Sequence, residues 1–309
     1  MSAHRSELPK RLGAFAVIYV IWGTTYLAIA VAIRTMPPFS AGALRYLSAG
    51  GLMYLWLRSR ERRPFDGLNI PATLLCGVLM SGIGNGLVLW AQKGVPSGVT
   101  ALFVGSLPML ILLFDWAFFS RKRPARLATI GVAVGLAGVA VLATHTGGMA
   151  GGIRPIFLLV LLAAEIAWAI ATLLQRRFVP IRRIANFTCL QLLAGGVFQL
   201  VMALICRDWI ELATHGVALS SLLAVAYLAV VGTLIANNCY SYLIAHVSAH
   251  KVSTYALVNP VIAMALGVAV LGEKVTAAML VASALVLIGV ALVLFPGVRQ
   301  RFSAEAPQA

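Results

Sequence analysis

Residues 85–108 read NGLVLWAQKGVPSGVTALFVGSLP, and residues 237–260 read NNCYSYLIAHVSAHKVSTYALVNP. The second aligns on the first without a gap, so that Val95 falls on Val247, Phe103 on Tyr255 and Pro108 on Pro260. The chain is therefore an internal repeat. Apolar runs of about 20 residues, enough to cross a hydrocarbon core of about 30 Å, surround these stretches. In the first copy they fall near 12–33, 39–57, 71–92, 96–119 and 126–144. In the second they fall near 155–174, 184–206, 217–242, 250–272 and 275–295. The pattern predicts an all-α integral membrane protein with ten transmembrane helices, five in each repeat. Five is odd, so the second copy enters the bilayer upside down relative to the first, an inverted arrangement typical of secondary transporters. The eighth span is the weakest, because Asn237, Asn238 and Ser241 interrupt it.

Glycines at 147, 148, 151 and 152 mark the boundary between the copies. The expected organisation is a tail at 1–11, a first repeat at 12–145, a Gly-rich linker at 146–154, a second repeat at 155–295 and a tail at 296–309. The apolar run at 12–33 exceeds the roughly 7–15 residues of a signal-peptide core, so it reads as the first span.

Of 309 residues, 61% are hydrophobic and 11% charged, against about 25% charged in a soluble domain. The net charge of +15 could suit nucleic acid, but a nucleic-acid binder clusters its cations on a soluble face. Here the cations lie between the spans, and no nucleic-acid partner is expected. With a cytoplasmic N-terminus, eighteen Lys and Arg fall on the inner side and five on the outer, with Arg45 left inside a helix. The positive-inside rule then places both termini in the cytoplasm. The four cysteines, Cys76, Cys189, Cys206 and Cys239, sit in apolar spans without metal spacing and read as small buried hydrophobes. No metal or cofactor is expected. The nine acids are scattered, and the histidines lie in tails, loops or helix ends, so no catalytic cluster forms and an enzyme is not expected.

Several residues are candidates for a site. Pro108 and Pro260 hold equivalent places in the fourth and ninth spans, where each removes a backbone hydrogen bond, so both helices should kink or unwind there as hinges. Phe103 and Ser106, and Tyr255 and Asn259, precede them as cavity-lining candidates. Glu165 lies about ten residues into the sixth span, hence about 15 Å deep. A carboxylate at that depth marks an ion or substrate pathway and would suit proton coupling. Trp168 and Thr172 share its helix face, although a protonated or Arg-paired structural Glu remains the alternative. Arg45 could hold a substrate carboxylate, neutralise Glu165, or snorkel to the interface. Asp115 lies near its helix end and reads as a partner of basic residues. On the third span Ser81, Asn85 and Gln92 form one polar stripe, with Asn85 and Asn237 expected as equivalent gate positions toward opposite faces. Tyr19, Trp22, Thr25 and Tyr26 form one face of the first span, and Trp22 matches Trp168 as the wall of an aromatic pocket. Gly131, Gly135 and Gly138 permit close helix packing, chiefly within one chain, with a homodimer left open.

At these residues the chain resembles the EamA family of the drug/metabolite transporter superfamily. The matching stretches are Tyr19 to Tyr26 (YVIWGTTY), Leu44-Arg45-Tyr46, Tyr255 to Val261 (YALVNPV) and Leu271 to Thr276 (LGEKVT). Gly84-Asn85-Gly86 followed by Val95-Pro96-Ser97-Gly98 is similar to the YedA-type inner-membrane members. The resemblance implies two inverted EamA repeats, a central cavity between them, and export of a small metabolite, amino acid or related amphipathic compound by alternating access across the bacterial inner membrane. Arg121-Lys122-Arg123 replaces Gly272-Glu273-Lys274 in the first copy, so Glu273 reads as a loop or cap residue. A channel or scaffold without carrier activity is the competing expectation, although a channel would be expected to show a ring of repeated polar residues.

Overall fold

The computed structural model describes residues 2–121, 123–145, 153–247 and 249–294. Most of the Gly-rich linker and the C-terminal tail lie outside the described residues. Among the described residues there are helices and no strands, and the helices make ten passes. We number them α1 (Ser2–Ala32), α2 (Pro38–Arg60), α3 (Ile70–Ala91), α4 (Ser97–Phe119), α5 (Arg126–His145), α6 (Pro155–Phe178), α7 (Ile184–Ile205), α8 (Leu219–His246), α9 (Tyr255–Leu271) and α10 (Ala277–Leu294). Seven of these are long and apolar enough to cross a membrane unaided, while α5 and α9 are shorter apolar helices. α2 is more polar, with Ser40, Arg45 and Ser48 along it, and its buried face packs on α7.

Proline sets several starts. Pro38, Pro71 and Pro155 occupy the first turns of α2, α3 and α6, where the missing N–H would have had no helical partner. A short helix, Asp208–His215, lies between α7 and α8.

The two copies interleave, and the contacts respect a twofold relation. α2 packs on its equivalent α7, and α5 on its equivalent α10. α1 packs on α8 and α9, as α6 packs on α3 and α4. Glycine makes the closest contacts possible: a Cβ on Gly131 would meet the Gly289 carbonyl oxygen at 2.6 Å, and one on Gly289 would meet the Gly135 nitrogen at 2.5 Å. The small-residue stripe of α5 is therefore used inside the chain, against α10. Large apolar side chains cover the outside, such as Leu55 at 66%, Leu159 at 62% and Ile205 at 67% exposed, as expected where lipid is the solvent.

Helical order fails at related places in the two copies. α3 widens into a π-helical segment at Val78–Gly84, and α8 does so at Leu228–Ile235. α4 is interrupted by a turn at residues 105–106, just before Pro108. The ninth pass differs from the expectation that both prolines interrupt their own helices. Its interruption lies at residues 253–254, and α9 runs unbroken through Pro260. The carbonyl that Pro260 leaves without a partner is that of Ala256, only two residues from the pass interruption at 253–254, and it faces Gly105, where a Cβ would sit 3.3 Å from it.

Gly289→Leu should cost about 3 kcal/mol or more by forcing α5 and α10 apart. Gly51→Leu, with nothing within 4 Å of a new Cβ, should be close to neutral. Thermal unfolding of the two variants in detergent measures the difference.

Candidate functional site

The defects surround a cavity between the two copies. Trp22, Thr25, Tyr26 and Ile29 of α1 line it, with Arg45 and Tyr46 of α2, Asn85 and Val88 of α3, Val104 of α4, Trp168 of α6, Asn237 of α8 and Tyr255 of α9. It holds about 480 Å³ of empty space. The cavity is narrow, with room for several waters between walls that would have to part for a larger solute.

Trp22 is the hub of an aromatic cluster. Its ring meets Trp168 edge-on at 5.9 Å, Tyr255 edge-on at 4.9 Å and Tyr240 at 5.1 Å between centroids. Its Nε1 donates to the Gly232 carbonyl at 3.3 Å, in the π-helical segment of α8. Asn85 plays the related part on α3, its Nδ2 donating to the Met80 carbonyl at 3.2 Å. Asn238 Nδ2 donates to the Leu234 carbonyl at 2.6 Å. The widened turns thus have side-chain donors on their carbonyls, and Trp22 and Asn85 supply theirs from the cavity wall.

Arg45 is 3% exposed and does not snorkel. Its Nε donates to Thr233 Oγ1 at 2.6 Å, its guanidinium lies 4.9 Å from the Tyr46 ring centre, and its Nη1 has no partner. Glu165 is fully buried, and neither carboxylate oxygen has a hydrogen-bond partner. Among the described residues no ion pair joins it to Arg45. It lies behind the cavity wall, within electrostatic reach of the Tyr26 and Tyr255 hydroxyls.

Eight of the eleven expected binding residues therefore share one cavity: Trp22, Thr25, Tyr26, Arg45, Asn85, Trp168, Asn237 and Tyr255. Asn85 and Asn237, expected toward opposite faces, lie in the same chamber. Phe103 is buried in the apolar core, and its neighbour Val104 lines the cavity instead. Asn259 is a strut: with its amide turned to suit its neighbours it donates to the carbonyls of Tyr19 at 2.9 Å and Tyr255 at 3.2 Å, tying α9 to α1. Tyr46 and Tyr240 were missed by the sequence reading. The spacing of Tyr240 from Asn237, one turn, was the available signal.

A second cavity, with about 520 Å³ of empty space, lies further along α4, lined by Pro108, Ile111, Leu112 and Asp115 with Leu173, Arg176 and Ser253. The partition coincides with the breaks. Between Val104 and Pro108 lies the turn at 105–106, and between Tyr255 and Ser253 lies the end of the turn before α9. On α6 the partition is Thr172, whose Oγ1 shares a 2.9 Å hydrogen bond with the Tyr240 hydroxyl.

On the opposite side of the central cavity, carboxylates clamp helix starts. Glu273 Oε1 accepts from the N–H and hydroxyl of Ser97, both at 2.7 Å, and Oε2 accepts from the Gly98 N–H at 3.1 Å. Glu273 is thus a cap on the first turn of α4. Asp208 Oδ2 accepts from the Ser40 N–H at 2.9 Å and its hydroxyl at 3.1 Å, which caps α2. Burial raises the Asp208 carboxyl above the usual range, against the opposing pull of the two Ser40 bonds.

A sequence profile of the EamA-like transporter family matches this chain twice, at residues 11–144 and 155–295. The chain belongs to the EamA-like transporter family. Among its relatives, the "Uncharacterized inner membrane transporter YedA" of Escherichia coli (strain K12) is 35% identical over 274 residues, covering 87% of this chain and 86% of that one. The "Probable amino-acid metabolite efflux pump" of Salmonella typhimurium (strain LT2) is 25% identical over 312 residues, covering 94% and 96%. A solved crystal structure at 23% identity superposes with a TM-score of 0.66 and covers 93% of this chain and 97% of its own, which shows the shared fold. The EamA repeat is thus present twice, and the two copies meet at the central cavity.

Replacing Glu273 with Gln should cost about 1.5–3 kcal/mol, the range for a hydrogen bond to a charged acceptor. Glu211→Gln, on the exposed short helix, should leave thermal stability in detergent unchanged.

Proposed function

We propose that this EamA-like protein is a secondary-active exporter that binds a small, partly apolar solute, such as an amino acid or related metabolite, in the central cavity and releases it by alternating access. The observation that carries this reading is an aromatic chamber between the repeats with one unpaired guanidinium N–H in its wall. Trp22, Trp168 and Tyr255 supply apolar and edge-on aromatic surface, and Tyr240 packs behind them. Arg45 Nη1 offers a charge-assisted bond to an anionic group of the solute. An unpaired buried carboxylate is costly, so Glu165 is satisfied by a proton or by a cationic group that approaches past Tyr26 and Tyr255. On this reading Glu165 takes the proton when no cationic group is bound, and the proton is the coupling ion. The name of the Escherichia coli relative supports transport in the inner membrane, that of the Salmonella relative supports efflux, and the distribution of basic residues supports both termini in the cytoplasm.

The breaks at 105–106 and 253–254 form the gate between the two cavities, with Pro108 as the hinge beside the first and Pro260 packed against Gly105 inside an unbroken α9. The second cavity, with Asp115 and Arg176 in its wall, is the cytoplasmic vestibule on this reading.

Counterflow of labelled amino acids and amphipathic cations in liposomes tests the assignment, since a carrier saturates and exchanges while a pore does neither. Trp168→Ala should lower exchange about tenfold, the equivalent of about 1.4 kcal/mol of lost ring contact. Glu165→Gln should keep exchange but lose its dependence on a proton gradient; an unchanged gradient dependence would remove Glu165 from coupling. Gly105→Val, which puts a side chain 3.1 Å from Pro260 Cγ, should slow exchange with solute affinity retained. If no solute exchanges with folded protein, the carrier reading gives way to a scaffold.

A further inference from the structure

The two copies of the loop after the fourth helix of each repeat differ in charge: residues 272–274 pair one acid with one base, and residues 121–123 are all basic. Gly272-Glu273-Lys274 turns its acid inward onto α4, whereas Arg121-Lys122-Arg123 has no acid at all. Arg121, Arg123 and Arg126 are exposed, and none has an ion-pair partner among the described residues. Arg121 holds a φ of 56°, the left-handed region that a residue with a Cβ adopts only under strain.

Beside this loop a crevice separates the end of α4 from the start of α5. It holds about 780 Å³ of empty space and is lined by Leu113, Trp116, Arg123, Pro124, Thr129 and Val132. The gap follows from the packing, because α5 leans on α10 through Gly131, Gly135 and Gly138 and makes few contacts with α4. The last turn of α4 is π-helical at Asp115–Phe119 and presents Trp116, Phe118 and Phe119 outward at 40%, 66% and 37% exposure. The apolar wall continues onto Leu127 and Ile130, which face the lipid. The site is therefore an apolar slot open to acyl chains with arginines at its rim and an aromatic girdle at headgroup depth.

We propose that this crevice binds one anionic phospholipid, its acyl chain between Leu113 and Val132 and its phosphate on Arg123, with Arg121 and Arg126 flanking. Charge complementarity selects the occupant: an arginine fork matches a phosphate, basic pockets between transmembrane helices take anionic headgroups, and a zwitterionic headgroup brings a cation that three unpaired arginines disfavour.

Native mass spectrometry of the full-length protein, exposed to equal cardiolipin and phosphatidylethanolamine, tests this directly. About tenfold more bound cardiolipin is expected in the wild type. The excess should vanish in Arg123→Gln/Arg126→Gln and also in Thr129→Trp, which fills the slot from an exposed position without changing charge. Arg58→Gln/Arg60→Gln, the basic end of α2, should keep the preference. If Thr129→Trp binds as wild type, or if the Arg58/Arg60 variant loses the preference equally, cardiolipin is held by general surface charge and the crevice is not its site.

Discussion

In hydrocarbon each backbone N–H and C=O must find a partner within the protein, because no water is present to supply one. That constraint bears on where this chain departs from the α-helix inside its passes, the π-helical end of α4 at Asp115–Phe119 lying apart at the last turn before a loop. Its π-helical turns in α3 and α8, and the turns at 105–106 and 253–254, all lie where the two copies meet. Each widened turn is answered from close by: Trp22 reaches Gly232, Asn85 reaches Met80 and Asn238 reaches Leu234. A polar side chain used this way does two things at once. It stabilises irregular backbone, and it brings an amide or an indole N–H to the edge of a cavity. The polar wall of the site is thus a consequence of the irregular helices as much as a provision for a solute.

The same constraint separates the two sides of the cavity. Toward α2 and α4, whole carboxylates cap helix starts, and Glu273 and Asp208 gather several donors each. Toward the second cavity the closing contacts are between hydroxyls, Thr172 with Tyr240 and Tyr19 with Thr254. Charge-assisted bonds are about twice as strong as neutral ones. The Glu273 and Asp208 clamps are thus charge-assisted where the Thr172–Tyr240 and Tyr19–Thr254 contacts are neutral, and the interruptions of α4 and the ninth pass lie beside the neutral pair.

The sequence made the fold legible because hydrophobic length is an additive signal: about twenty apolar residues read as a span wherever they occur. Most edges of the passes fall within about five residues of the apolar runs, although α1 already begins at Ser2, and the uncertain eighth span is one continuous stretch in which Asn238 bonds back to Leu234. The site was legible in part. Trp22, Trp168 and Tyr255 stood out because aromatic residues deep in a bilayer need a reason, and the repeat alignment pointed to Asn85 and Asn237. Phe103 and Asn259 were misplaced because the alignment gives depth but not helix rotation, and one residue of slip turns a side chain by about 100°. Glu165 shows the reverse case. Its place about ten residues into the sixth span could be read from the sequence, but only the packing leaves both oxygens buried without partners.

The proline pair shows how far internal symmetry can be trusted. Pro108 and Pro260 align, yet α4 is interrupted beside its proline and α9 is not. A proline removes one hydrogen bond wherever it stands, but the backbone yields where its neighbours permit. Ahead of Pro108 stand Gly105 and Ser106, and glycine opens the turn. Ahead of Pro260 stand Val258 and Asn259, and Asn259 bonds back to Tyr19 and Tyr255, which holds that stretch helical and moves the interruption to 253–254. The two breaks then sit at unequal distances from their prolines, although the Pro260 ring packs on Gly105. The α4 break therefore sits directly against α9, and the same two helices are joined again at the start of α4, where Glu273 holds Ser97 and Gly98.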